Sequence, residues 1–304
     1  MSTNFNRKGR KVKYLAVKDT PPYFNVLSKE AVNLAEEIET SISAINEEEN
    51  TKFLAEQALG CFGRYRGCVL QISRLADHEK RIKASGPHHI GAVSCLGGTE
   101  ALIDFESLLF HGRSALDRIA FFVAKKIYDQ DCDKYPRLPN VLTNFKEQDD
   151  RATDLLNIFN TVNPFFDGVL CDTPSAKKSL RSHLIHKSTA SENAIALFTL
   201  HFLGDDKHIA FDAILGDYSL FRTTHELAQG LTFFVLNTLS LYVGSGRVLE
   251  FSKCKPSWHS QMVDYRQYES DDLDSVAFTI WCTTPSGCVL RPVRLCPNVI
   301  NEAY

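Results

Sequence analysis

Lys177-Lys178-Ser179-Leu180-Arg181-Ser182-His183-Leu184-Ile185-His186-Lys187 is the stretch on which the reading of this chain turns. At about 100° per residue, Leu180, Leu184 and Ile185 form a narrow apolar stripe on one face of a helix. Arg181 falls inside that stripe, and His186 lies about 140° round from it, five residues on. A guanidinium in an apolar arc needs a partner, because it keeps its charge and burial without a counter-charge is costly. Two arrangements meet the need. Either a carboxylate from elsewhere reaches Arg181, or the helix begins near Arg181 and its side chain swings towards His183 and His186. The second gathers a permanent cation and two titratable imidazoles around one volume, which is an anion site with acid–base capacity.

Working outward, Asp172-Thr173-Pro174 offers a cap followed by proline at a first helical position. That start puts Arg181 about two turns into the helix and favours a kink or a carboxylate partner. The longest helical pattern runs from Thr99 to about Tyr128. Phe105, Leu108, Leu109, Leu116, Ile119, Phe122 and Val123 cover most of its circumference, so it reads as the central helix of a bundle. Its polar exceptions include Glu106, His111, Arg113, Asp117 and Arg118, and Asp117 and Glu106 are the candidate supporting carboxylates for Arg181. Ser28 caps a helix in which Ala31, Leu34, Ala35, Ile38 and Ile42 recur at helical spacing. Thr51 to Lys83 is helical too, with a weak point around Gly60 to Gly67, and its basic residues, Arg74 and Arg81 among them, read as spread around the helix. Ser85 to Gly98 reads as a loop. Asp150 to Phe159 is a helix stopped by Asn163-Pro164.

After Ser191 the period changes to two. Ala196, Phe198, Leu200 and Phe202 alternate, Gly204-Asp205-Asp206-Lys207 is turn chemistry, and Ile209, Phe211 and Ala213 alternate again, which predicts a β-hairpin over 192–215. Ser219 to Val243 returns to helix and closes the bundle. Val276 to Thr283 and Cys288 to Leu295 read as strands about Pro285-Ser286-Gly287. The expected organisation is mainly α: a basic tail and helical extension over 1–98, a helical bundle carrying the hairpin over 99–246, and a small β appendage over 247–304.

Composition excludes several function classes. A net charge of -3 gives no overall field for a polyanion, so any nucleic acid must meet a local basic patch. The 9 cysteines are odd in number and none forms C-x-x-C, which argues against a zinc ribbon and a secreted disulfide framework. They read as reduced, buried thiols of a cytoplasmic protein. His88-His89 has no carboxylate or cysteine at ligand spacing, so no metal and no cofactor is expected. Met1 to Lys13 is polar and basic with no apolar core behind it, unlike a signal peptide. The richest apolar run, Leu231 to Val243, is interrupted by Thr232, Asn237, Thr238 and Ser240 and is too short to span a bilayer.

Arg181 to His186 stays within one helix, carries polar Ser182 beside the arginine, and follows a region able to form a bundle. A second pair, Arg81 to His88, crosses Gly86-Pro87 and leaves its helix. The first combination resembles the HEPN superfamily, helical-bundle domains named for higher-eukaryote and prokaryote nucleotide binding, whose signature is Arg, a polar residue, and a His roughly four to six positions on. The helix from Phe105 to Arg118 also resembles the first bundle helix of bacterial members. The likeness covers about 99–187 and extends towards 243; the hairpin departs from the family's all-helical run.

The resemblance implies metal-independent RNA cleavage at a homodimer interface where two copies of the motif face each other. The RNA 2′-OH is the nucleophile. His186 is then the acid–base residue and Arg181 the phosphate clamp. Ser182 or His183 orients them, and Lys177, Lys178 and Lys187 contact the RNA backbone. Such an endoribonuclease would be a toxin or defence effector, with a cognate inhibitor protein as a further partner and no membrane role. The alternative is a non-catalytic nucleotide- or protein-binding module, in which Arg181 is a buried ion-pair partner of Asp117 or Glu106 and His186 an ordinary surface residue. A structural adaptor using the acidic helix around Glu36, Glu37 and Glu39 is a third reading.

Overall fold

Between Ala228 and Val243 the chain carries no Asp, Glu, Lys or Arg, and a helix built that way has no face to give to water. In the computed structural model this segment belongs to helix α7 (Leu220–Val243), in which every residue from Leu227 to Val243 is buried. The other helices are α1 (Lys29–Glu47), α2 (Lys52–Ser85), α3 (Ile90–Phe121), α4 (Leu138–Phe145), α5 (Asp150–Phe166) and α6 (Leu180–Lys187). The structure describes residues 22–47, 52–85, 90–172, 178–187, 197–202, 212–215, 218–258, 278–284 and 287–292. Backbone alone is described at 22, 46–47, 82–85, 90–99, 183, 185–187, 197–219 where given, and 278–292 where given. The basic tail, the pair His88-His89, Thr173-Pro174, Lys177 and the Gly204 to Lys207 turn lie outside the described residues.

Helix accounts for most of what is described. Helices α1, α2, α3 and α5 pack against α7, and α2 runs along α3. One continuous apolar core extends from Phe24 to Cys254 and takes side chains from both sides of position 98. Its largest fully buried members include Tyr65, Tyr135, Phe62, Phe105, Phe122, Phe166 and Phe234. Full burial of one large apolar side chain contributes about 1.5–3 kcal/mol. Several polar side chains of α7 find partners within this core, although Ser240 Oγ finds none among the described residues. Asn237 donates to Leu249 O at 3.1 Å and accepts from Leu249 N at 2.8 Å. Thr232 and Tyr65 share a hydroxyl contact of 3.0 Å. Such pairing is what makes a buried polar helix tolerable.

Three local expectations are corrected. The centre belongs to α7, not to the Thr99 to Tyr128 helix: α3 buries Phe105, Leu108 and Leu116 but leaves Ile103 56% and Phe110 51% exposed. The absence of charge, more than the count of large apolar residues, marks the helix with no wet side. The stretch from Ser85 to Gly98 is not a loop throughout, because α3 already begins at Ile90 and takes in Gly97 and Gly98; context overrides their low helix propensity. Helix α5 continues past Asn163-Pro164 to Phe166, since a proline so near the end removes little of the intrahelical bonding.

The backbone segments β1 (Leu197–Phe202), β2 (Asp212–Leu215), β3 (Tyr218–Ser219), β4 (Phe278–Thr284) and β5 (Gly287–Pro292) pair antiparallel in the order β3-β2-β1-β4-β5. Phe198 stands opposite Ile214 on one side and Cys282 on the other. Among the described residues no helix is long and apolar enough to cross a membrane. Cys61, Cys68, Cys132, Cys171 and Cys254 are buried free thiols.

Candidate functional site

The turn after α5 decides where Arg181 lies. Gly168 adopts φ 74°, a conformation that glycine enters without steric cost. The reversal it makes receives the incoming strand of chain: Leu180 N donates to Gly168 O at 2.8 Å and Arg181 N to Val169 O at 3.0 Å. Asp172 Oδ1 accepts the Ser179 N–H at 2.7 Å and the Ser182 hydroxyl at 2.9 Å. Ser179 Oγ accepts the Ser182 N–H at 3.2 Å, which makes Ser179 the N-cap of α6. The Ser179 backbone N–H, with the two serine hydroxyls, holds the Asp172 carboxyl below its usual range.

Asp172-Thr173-Pro174 therefore does not start the helix. Helix α6 starts at Leu180, and Arg181 sits in its first turn instead of about two turns in. The helix start is thus that of the second arrangement weighed for Arg181, whose swing towards His183 and His186 lies outside the described residues. Ser182 is committed to Asp172, and Lys178 is exposed just before the helix. The backbone of α6 carries His183, His186 and Lys187, whose side chains lie outside the described residues.

Arg181 lines a cleft of about 480 Å³ together with Arg113, Asp117 and Arg118 of α3 and Asp133. Phe110 and Phe121 line the same cleft. Asp117 is not the partner of Arg181. Its Oδ2 accepts from Arg113 Nε at 2.8 Å and its Oδ1 from Tyr135 N at 2.9 Å, so both oxygens are occupied. Arg113 is tied further by Nη1 to Cys171 Sγ at 2.9 Å. Glu106 is exposed on α3, is not part of the cleft, and makes no ion pair among the described residues. Arg181 Nε is buried and has no hydrogen-bond partner among the described residues. A buried donor left unpaired costs about 1–3 kcal/mol. Burial pushes the Cys171 thiol up to about 11, so it adds no counter-charge. The cleft thus holds three guanidiniums against two carboxylates, one of which, Asp117, is already paired with Arg113. Chemically it can bind an oxyanion by charge-assisted hydrogen bonds.

A second cleft, about 350 Å³, lies between α2 and α3 and went unread in the sequence. It is lined by Arg74, Asp77, His78, Arg81, Glu100 and Asp104, with Ile103 at its edge. His78 is 5% exposed. Its Nε2 lies 2.8 Å from Asp104 Oδ2 and its Nδ1 lies 2.8 Å from Arg81 Nη2. A guanidinium only donates, so Nδ1 accepts and Nε2–H donates to Asp104. Arg74 pairs with Asp104 at 3.3 Å and Arg81 with Glu100 at 3.7 Å. The signal was present: Arg74, His78 and Arg81 fall on one face of α2, and Glu100 and Asp104 are one turn apart on α3.

Among the described residues no group of three or more His, Cys, Asp or Glu is placed to hold a metal ion. Comparison of the chain with family models, with curated proteins and with solved structures gives no match.

Proposed function

We propose that this chain binds RNA at the Arg181 cleft and cleaves it without a metal, with Arg181 as the phosphate clamp and His186 as the acid–base residue. The observation that carries the reading is Arg181 itself: it stands in the first turn of α6, with a buried, unpartnered Nε, in a cleft where guanidiniums outnumber carboxylates. The chemistry balances with protein groups alone. His186 takes the proton of the 2′-OH, the oxygen attacks phosphorus, and the bond to the 5′-oxygen breaks as that oxygen receives a proton from a second acid. Arg181 stabilises the charge on the non-bridging oxygens. His183, Lys177, Lys178 and Lys187 orient the site or contact backbone phosphates. On this HEPN-type reading the helical bundle carries one β unit, made jointly by the segment at 192–215 and the strands after residue 276. The active form is a cytoplasmic homodimer acting as a toxin or defence effector restrained by an inhibitor protein.

Incubation with total RNA in EDTA tests it. Cleavage leaving 2′,3′-cyclic ends is the expected result, with His186→Ala slower by at least about 10²-fold. Parent and His186→Ala cutting at the same rate would refute the assignment. A non-catalytic nucleotide-binding module is the second reading, favoured by Phe110 and Phe121 beside the arginines, since an exposed aromatic suits a stacked base. Intact RNA together with tight nucleotide binding distinguishes it.

A further inference from the structure

We propose that Arg118 is a second phosphate contact of this cleft, set in place by Gly60, and that the ligand is a single strand of RNA seating two successive phosphates. The inference rests on the reading of the Arg181 cleft as a phosphate site. A Cβ added to Gly60 of α2 would stand 2.6 Å from Arg118 Nη2, 2.7 Å from Nε and 2.9 Å from Cζ. The guanidinium therefore occupies the space beside α2 that any other side chain at position 60 would fill. Burial pushes the neighbouring Cys61 thiol up to about 12, so it stays neutral beside the cation. Arg118 makes no ion pair and no hydrogen bond among the described residues, although it lines the same cleft as Arg181.

The cleft consequently presents two uncommitted guanidiniums from different elements, Arg118 from α3 and Arg181 from α6, with Arg113 tied to Asp117 and Cys171 between them in chemistry. Each fork of donors can hold a phosphate, and forks on two different elements can hold two in succession. Phe121 lies three residues beyond Arg118 on the same helical face and lines the same cleft. Arginine contacts to backbone phosphate with an aromatic at hand for a base are the features that suit a single strand, whose bases are free to stack.

The test measures binding by the full chain carrying His186→Ala, so that the probe is not consumed. The probes are a short labelled single-stranded RNA and a nucleoside monophosphate. In that background Arg118→Ala is expected to weaken the RNA on the order of tenfold. The slope of log affinity against log salt should flatten by about 0.7, the value for one phosphate contact on a single strand. Gly60→Ala should push the Arg118 guanidinium aside and weaken the RNA in the same direction by less than Arg118→Ala, and it keeps the fold because alanine is the better helix former. The monophosphate, with one anionic group, should be insensitive to both changes while losing affinity in Arg181→Ala. RNA affinity and salt slope unchanged in Arg118→Ala would overturn the inference. If Arg181→Ala were equally silent, the cleft itself would be misread; if Arg181→Ala weakened binding and Arg118→Ala did not, only the second contact would fall. A duplex of the same sequence bound as tightly as the single strand would overturn the ligand assignment.

Discussion

The two clefts on the α2–α3 pair are both lined by arginines and aspartates and differ in how their charges are answered. Around His78, Arg74 meets Asp104, Arg81 meets Glu100, and both imidazole nitrogens are filled. Around Arg181, Asp117 is engaged by Arg113 and the Tyr135 N–H, and Arg118 and Arg181 form no ion pair among the described residues, Asp133 in the same lining included. The first region has the residues of an active site, a histidine beside an aspartate and two arginines, yet both ring nitrogens of His78 are engaged, Nδ1 by Arg81 and Nε2 by Asp104. It is a tether between helices. The second has the capacity to bind. What distinguishes a site from a staple here is unpaired charge, not the presence of arginine or histidine. Burial sharpens the contrast: the side chains of Arg81 and Glu100 are 64% and 60% exposed, so their pair contributes little. His78 and Asp104, at 6% and 13%, carry the connection.

Substitutions that separate binding from stability are the direct way to break this contrast. The largest effect is expected for Arg181→Ala. An arginine that stabilises phosphoryl charge is worth about 10³-fold or more in rate, so RNA cleavage should fall by that order while the thermal midpoint barely moves. A melting loss without an activity loss would reverse the two roles. Next comes Asp104→Ala, which leaves the buried Nε2–H of His78 without its acceptor. It should cost about 1–3 kcal/mol in urea unfolding, with RNA affinity of the folded protein unchanged. Altered RNA affinity would make the His78 cleft a ligand site. Smaller again is Asp117→Asn, which keeps an oxygen for the Tyr135 N–H but removes charge opposite Arg113. A few-fold tightening of RNA is expected, together with about 1 kcal/mol of lost stability from one weakened charge-assisted bond, read by titration and urea melts on the same sample.

Much of this was legible from periodicity. The helical pattern of Ala31, Leu34, Ala35, Ile38 and Ile42 is that of α1, and the uncharged run ending at Val243 is that of α7. That run was read as the helix closing the bundle; the partners of Thr232 and Asn237, Tyr65 and the Leu249 backbone, are distant in sequence. A helix through Arg181 was legible as well, but its start and its surroundings were not. Asp172-Thr173-Pro174 has the stronger local signature of a helix start. The helix begins at Leu180 because Gly168 and Val169 offer carbonyls to it, a pairing set by the turn after α5. Asp117 was open to two partners, and the one chosen was a turn away on its own helix, at Arg113. The link from His78 to Asp104 depends on how α2 slides along α3, and no local pattern encodes that register.

The cap of α6 gives the smallest effect and ties stability to the site. The Asp172 carboxyl is held low by the Ser179 N–H and the serine hydroxyls, so its folded value lies below the unfolded one. Its contribution is therefore present above the unfolded value, about 3.9, and is lost as pH falls through the folded value. Asp172 is exposed, and the shift is screened, so only the direction is expected: acid should destabilise the parent more than Asp172→Asn. The amide cannot titrate, yet it keeps an oxygen for the Ser179 N–H. Ser179→Ala removes the cap itself and should cost about 1 kcal/mol at neutral pH. Urea melts at about pH 7 and about pH 3 measure both, and parallel pH dependences for parent and Asp172→Asn would show that the carboxylate holds nothing. Because this cap fixes the turn that presents Arg181, Ser179→Ala should also weaken RNA binding, whereas an equal loss of stability from Asp104→Ala should not. Two variants matched in stability but not in affinity would show that the position of α6, and not the firmness of the bundle as a whole, sets what the cleft can hold.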